Sequence, residues 1–184
     1  MVKVTKGYFM FRIKEEISMY EIFGELDSME EINETAEGLK NEGDHKNLYQ
    51  LAEENGIDAA FVDMYLNGTT DKLCCDVATA ALGKIDVEAV AVKPIEIVAD
   101  WVEYIRTLCG DDETFARAVR SRGKSLKGCI GSLLGWSFQK KYRVAEDIIK
   151  AAGIGQARVE MGIPGMGTAK KLIRQYYLKE GADR

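Results

Sequence analysis

The sequence predicts a mainly α-helical fold of the α+β class: a helical body with a small N-terminal β-hairpin. Three observations carry that reading. From residue 28 onward apolar residues recur at three- and four-residue steps, so that each segment presents one apolar face as a helix. Residues that favour strands cluster in the first two dozen positions. Glycines at 83, 123 and 153 punctuate the periodic segments. With 184 residues, 46% hydrophobic and 30% charged, the chain has the apolar content for a proper core.

Taken in order, Tyr8 to Ile13 and Ile17 to Phe23 read as two strands separated by Lys14-Glu15-Glu16. Two strands alone are marginal in water, so they must lie on helices or join a partner's sheet. Ser28 with Glu31 is a capping box opening a helix to about Lys40. Asn41 to His45 reads as a loop, which puts the single histidine on the surface, without a second histidine or nearby cysteine to make a metal site or catalytic pair. Leu48 to Asp58 and Phe61 to Gly68 have the rhythm of a helix-turn-helix. Its second helix offers Asp58 and Asp63 and no Lys or Arg, so phosphates would repel it; a protein-contacting or structural hairpin is preferred. Thr70 or Asp71 starts a helix that Gly83 stops after Leu82. Pro94 suits the first turn of a helix to Leu108, whose stripe is Ile97, Val98, Trp101, Val102, Ile105 and Leu108, with Trp101 in the core.

Asp111 or Asp112 can cap a short helix carrying Phe115, Ala118 and Val119 inward. Ser125 can cap a longer one to about Tyr142, with Leu126, Ile130, Leu133, Leu134 and Phe138 on one buried stripe. Gly128, Gly131 and Gly135 each cost that helix about 1 kcal/mol relative to alanine, which predicts close backbone approach there. Val144 to Ala152 is a further helix, ended by Gly153, and the glycine-rich turn from Gly162 to Gly167 feeds a last one. The organisation is either one continuous domain or two lobes, an acidic 1–88 and a basic 89–184, joined near Gly83 to Pro94.

Charge is strongly divided along the chain. Residues 1–115 carry 10 bases and 25 acids, whereas residues 116–184 carry 15 bases and 5 acids, although the whole chain is only at −5. Between Glu113 and Glu146 there is no carboxylate, and Arg117, Arg120, Arg122, Lys124, Lys127, Lys140, Lys141 and Arg143 all fall there. Lys124 and Lys127 would flank the N-terminus of the helix that Ser125 caps, where a phosphate or a carboxylate is favoured. Lys170, Lys171 and Arg174 follow the Pro164-Gly165-Met166-Gly167 turn, which is similar to the backbone-gripping turn of helix-hairpin-helix proteins or else is a tight structural turn on which Tyr176 and Leu178 pack. Glu30, Glu31, Glu34 and Glu37 make the opposite case, an anionic helix for a basic partner.

Other chemistries find no support in the pattern. Gly123-Lys124-Ser125 lacks the first glycine and the preceding strand of a P-loop. Cys74, Cys75, Cys109 and Cys129 lack metal-ligand spacing and read as reduced, mostly buried thiols. With no nucleophile-base pair, acid pair or cofactor fingerprint, the expectation is a binder that is not an enzyme and needs no cofactor or metal. No run of eighteen apolar residues and no signal-peptide pattern occurs, so a cytoplasmic protein without a membrane partner is expected.

The segment Asp111 to Leu134, with its short helix, Gly123-Lys124-Ser125 and long helix, resembles the PcfK-like proteins of conjugative elements in Firmicutes, a family that also contains Cas9-inhibiting anti-CRISPR proteins. The chain as a whole resembles the mobile-element proteins among which type II anti-CRISPR proteins occur. The resemblance implies a protein that binds Cas9, with or without guide RNA, in the bacterial cytoplasm and blocks target DNA recognition or cleavage without catalysis. Cas9 holds nucleic acid in positively charged channels, so an acidic helical surface has something to block. The competing expectation is a DNA-binding accessory protein of a conjugative plasmid or phage, gripping duplex DNA through the basic block and the glycine-rich turn.

Overall fold

The computed structural model describes residues 20–155 and 158–179. Helix dominates them, in the order α1 (Met29–Glu42), α2 (His45–Glu54), α3 (Ala59–Leu66), α4 (Val77–Val92), α5 (Ile97–Asp111), α6 (Glu113–Arg120) and α7 (Leu126–Gln139). Strand β1 (Tyr142–Arg143), helix α8 (Glu146–Ala151), strand β2 (Glu160–Met161) and helix α9 (Met166–Leu178) complete the order. The fold is mainly α with a small antiparallel sheet, but that sheet is β1 against β2, with Tyr142 opposite Met161. The expected strand Tyr8 to Ile13 lies outside the described residues, as do the first three residues of its partner, 17–19. The described end of that partner, Tyr20 to Phe23, is a run of bends.

Side-chain caps set most helix starts. Ser28 Oγ accepts from the Glu31 N–H at 3.1 Å, and the Glu31 carboxylate accepts from the Asp27 N–H at 2.7 Å, a capping box that closes one residue outside the usual position. Asp44, Asp58, Asp76, Asp112 and Ser125 likewise accept from the first turns of α2, α3, α4, α6 and α7. Each such cap is worth about 1 kcal/mol.

Helix α4 departs from expectation at both ends. It starts after Asp76 instead of Thr70 or Asp71, because the Asn33 side chain grips Cys74, accepting its N–H at 2.9 Å and donating to its carbonyl at 3.0 Å, and so holds that backbone out of a helix. It then runs through Gly83 to Val92, so the expected joint at 83–94 is largely helical and the 88/89 boundary falls inside α4. Gly83 is the contact point with the end of α2: a Cβ there would lie 2.1 Å from the Asn55 carbonyl oxygen, and one on Gly56 2.4 Å from that of Gly83. Helix α5 starts at Ile97, so Pro94 lies in the connection before it and not in its first turn, and Lys93 and Glu96 both stand at φ 49.

Two apolar clusters form the core, with α4 serving both. Ile32, Ala36, Leu48, Leu51, Val62, Tyr65 and Leu73 pack with Ala80 in the first. Trp101, Ile105, Phe115, Val119, Leu126, Leu133, Ile173 and Tyr177 pack with Ala81 and Ile85 in the second. Full burial of each large side chain contributes about 1.5–3 kcal/mol. Phe115 meets Tyr177 edge to face at 5.2 Å.

The α7 stripe is narrower than its periodicity predicts. Leu126, Cys129 and Leu133 are buried, Ile130 is partly so, and Leu134 and Phe138 are 54% and 69% exposed. Close approach occurs at Gly128, where a Cβ would lie 2.2 Å from the Tyr176 hydroxyl, whereas Gly131 and Gly135 face open space. In α9 the inward residues are Ala169, Ile173 and Tyr177, and Leu178 is exposed. No described helix is long and apolar enough to cross a membrane.

Candidate partner-binding surfaces

The cationic block does not form one surface, because most of its members have partners within the chain. Arg120 is buried at 1% exposure, its guanidinium donating to the Leu26 carbonyl at 2.5 Å, Asn55 Oδ1 at 2.9 Å and the Ala80 carbonyl at 3.4 Å. Burial pulls its pKa down, while Tyr20, Cys74, Glu25 and Glu88 oppose that. Arg117 bridges Glu113 at 2.9 Å and Glu30 at 3.3 Å, and Arg122 pairs with Asp27 at 2.6 Å. The Lys124 ammonium donates to the carbonyls of Tyr176 at 2.8 Å and Lys179 at 2.9 Å, closing the C-terminal end of α9.

The anion expected at the start of α7 is therefore internal. The Leu126 N–H donates to the Glu88 carboxylate and the Gly128 N–H to Ser125 Oγ. Lys124 turns to α9, and Lys127 is exposed with no ion pair among the described residues. Arg174 pairs with Asp112 at 3.2 Å, the Lys170 ammonium lies 4.9 Å from the Tyr104 ring centre, and Lys171 is exposed. Arg143 pairs with Glu146 at 3.1 Å, while Lys140 and Lys141 are exposed beyond the end of α7.

Between the two apolar clusters runs a seam of buried polar side chains that the sequence reading missed. Lys84 forms ion pairs with Glu25 and, at 3.9 Å, with Glu88. Glu54, 4% exposed, accepts the N–H groups of Ile22 at 3.0 Å and Phe23 at 3.2 Å. With Arg120 on Leu26 and Arg122 on Asp27, these groups clamp residues 22–27 as a strap across the seam. The i, i+4 spacing of Lys84 and Glu88 inside a largely apolar helix was the available signal. Desolvation raises the Glu88 pKa above the ordinary glutamate value, with the Leu126 N–H and the Lys84 charge opposing it.

The acidic side divides in two. Glu30 is tied to Arg117 and Glu31 to its cap, whereas Glu34 and Glu37 are exposed with no ion pair among the described residues. Glu42, Glu53, Asp58 and Asp63, on or at the ends of the same three helices, are also exposed with no ion pair among the described residues. The α1 lysine, Lys40, does not offset them: its ammonium donates to the Tyr65 carbonyl at 2.6 Å at the end of α3.

Two clefts lie among the described residues. One, of about 390 Å³, lies among Met29, Asp76, Val77, Cys109, Asp111 and Glu113; the other, of about 650 Å³, lies among Arg143, Glu146, Ile149, Lys150, Gly153 and Arg158. Cys109 and Cys129 are buried, their thiols pushed up to about 12 by desolvation, and Cys74 to about 11, so all three stay protonated near neutrality. Cys75 and His45 are exposed. No protein-family model, characterised protein or solved structure matches this chain.

Proposed function

We propose that the chain is a non-catalytic binding protein that lays the acidic surface of α1–α3 on a basic, nucleic-acid-handling partner, with Cas9 the partner that the sequence resemblance implies. The observation that carries this is the unequal fate of the two charge classes. Arg117, Arg120, Arg122, Lys124, Arg143 and Arg174 are engaged within the molecule, whereas Glu34, Glu37, Glu42, Glu53 and Asp58 are exposed with no ion pair among the described residues. Unmatched surface carboxylates speed encounter with a basic partner and bias its orientation. A duplex-gripping accessory role is left with fewer bases than its sequence promises, chiefly Lys127, Lys140, Lys141, Lys170 and Lys171. The test is target cleavage by guide-loaded Cas9 at rising molar ratios of this protein. Loss of cleavage that saturates near one equivalent is expected. Undiminished cleavage at large excess overturns the proposal, and inhibition far below one equivalent would signal catalysis instead.

A further inference from the structure

The end of α7 and the ribbon that follows it carry a feature that the acidic surface does not explain. Phe138 and Tyr142 are 69% and 53% exposed, although a core would be the ordinary place for such rings. They stand in the sequence Phe138-Gln-Lys-Lys-Tyr-Arg143, so that the exposed Lys140 and Lys141 lie between the two rings and Arg143 follows the second. The ribbon is docked on α7 at Gly162, where a Cβ would lie 2.2 Å from the Ser137 carbonyl oxygen and 3.4 Å from the Lys141 stem. That contact holds Lys141 beside the last turn of the helix, its ammonium 5.8 Å from the Phe138 ring centre. Across the ribbon the Tyr142 hydroxyl meets Met161 Sδ at 3.9 Å, which lays Tyr142 along a neighbour that is itself exposed. Residues 140–160 carry five bases against three acids, and those acids, Glu146, Asp147 and Glu160, are matched by Arg143, Lys150 and Arg158. Lys140 and Lys141 have no ion pair among the described residues.

From this placement we propose that Phe138, Tyr142, Lys140 and Lys141 form a platform for single-stranded nucleic acid, with unpaired bases stacking on the rings and phosphates meeting the lysines. Stacking on an open ring needs a base with an exposed face, which a strand offers and a duplex conceals, and the lysines supply the charge complementarity. An acidic protein segment would use the same lysines but would not depend on the rings in this way. The platform is separate from the α1–α3 surface, so the two proposals fail independently.

The experiment is fluorescence anisotropy with a labelled oligothymidylate of about 12 nucleotides, within the footprint of a small single-strand platform, and with the same strand in a duplex. Single-strand binding at low salt, weaker binding to the duplex, and a loss of about tenfold or more in Phe138→Ala/Tyr142→Ala are expected. Lys140→Gln/Lys141→Gln should flatten the slope of log affinity against log salt by about 1.4, since each phosphate contact on a single strand contributes about 0.7. Thermal melts of both variants check that the fold is kept, as expected for exposed positions. No binding at low salt, equal affinity for the duplex, or a ring variant that binds like the wild type overturns the proposal.

Discussion

Arg120 and Glu88 place ionisable groups where water does not reach, and their partners decide what replacing them does. Arg120 supplies donors to two carbonyls and to the Asn55 side chain. Arg120→Ala strands the Leu26 carbonyl and Asn55 Oδ1 in the seam, whereas the Ala80 carbonyl keeps its place in the α4 ladder; at about 1–3 kcal/mol for each acceptor left unsatisfied, a loss of roughly 3 kcal/mol is expected in denaturant unfolding. Lys127→Ala, at an exposed position, should stay within about 0.5 kcal/mol. A value for Arg120→Ala as small as that of Lys127→Ala would contradict the clamp. Glu88 makes a pH prediction. Its folded pKa is raised, so the native state holds this proton more tightly than the unfolded chain does. Its contribution to stability is fully present below the ordinary glutamate value of 4.5 and is lost as pH rises through the raised folded value. In Glu88→Gln, which keeps an acceptor for the Leu126 amide, that loss should vanish. Unfolding free energies of the two proteins measured across this window should converge at low pH and separate as pH rises, and parallel curves would contradict the assignment.

At the scale of helices, caps were legible in the sequence because capping is local: Ser28 with Glu31, Asp112 and Ser125 do what their spacing predicts. What was not legible depends on segments far apart in the chain. Gly83 reads as a helix stop, yet it lies inside α4 because Asn55 and Gly56 press against it. Leu134 and Phe138 match the period of a buried stripe, yet no described helix covers them, since α4 and α9 reach only the Leu126–Cys129–Leu133 face. The glycines therefore separate sharply in their effects. Gly83→Ala drives a Cβ into fixed backbone and should destabilise by about 3 kcal/mol or more. Gly131→Ala enters open space within a helix and should stabilise by about 0.5–1 kcal/mol. Thermal melts distinguish them, and equal shifts would mean that α4 and the end of α2 are not in contact.

Over the whole molecule, the bipolar charge of the sequence is partly an internal device. Glu30 with Arg117, Asp27 with Arg122 and Asp112 with Arg174 tie the acidic segments to the basic ones, and a count along the chain shows only the imbalance, not these pairings. Of the four glutamates that marked α1 as a contact helix, Glu30 and Glu31 serve the fold, whereas Glu34 and Glu37 remain on the surface. Reversing all four would confuse folding with binding, so the informative variant is Glu34→Lys/Glu37→Lys/Glu53→Lys. We propose the unmatched carboxylates of α1–α3 as the partner contact. The most direct measurement is the affinity for guide-loaded Cas9, at low and at high salt, of the wild type and of that triple variant. Wild-type binding should weaken with salt, and the variant should lose about tenfold or more in affinity along with most of the salt dependence while melting like the wild type. A well-folded variant that binds as tightly as the wild type, or a wild type that does not bind at low salt, would contradict the proposal.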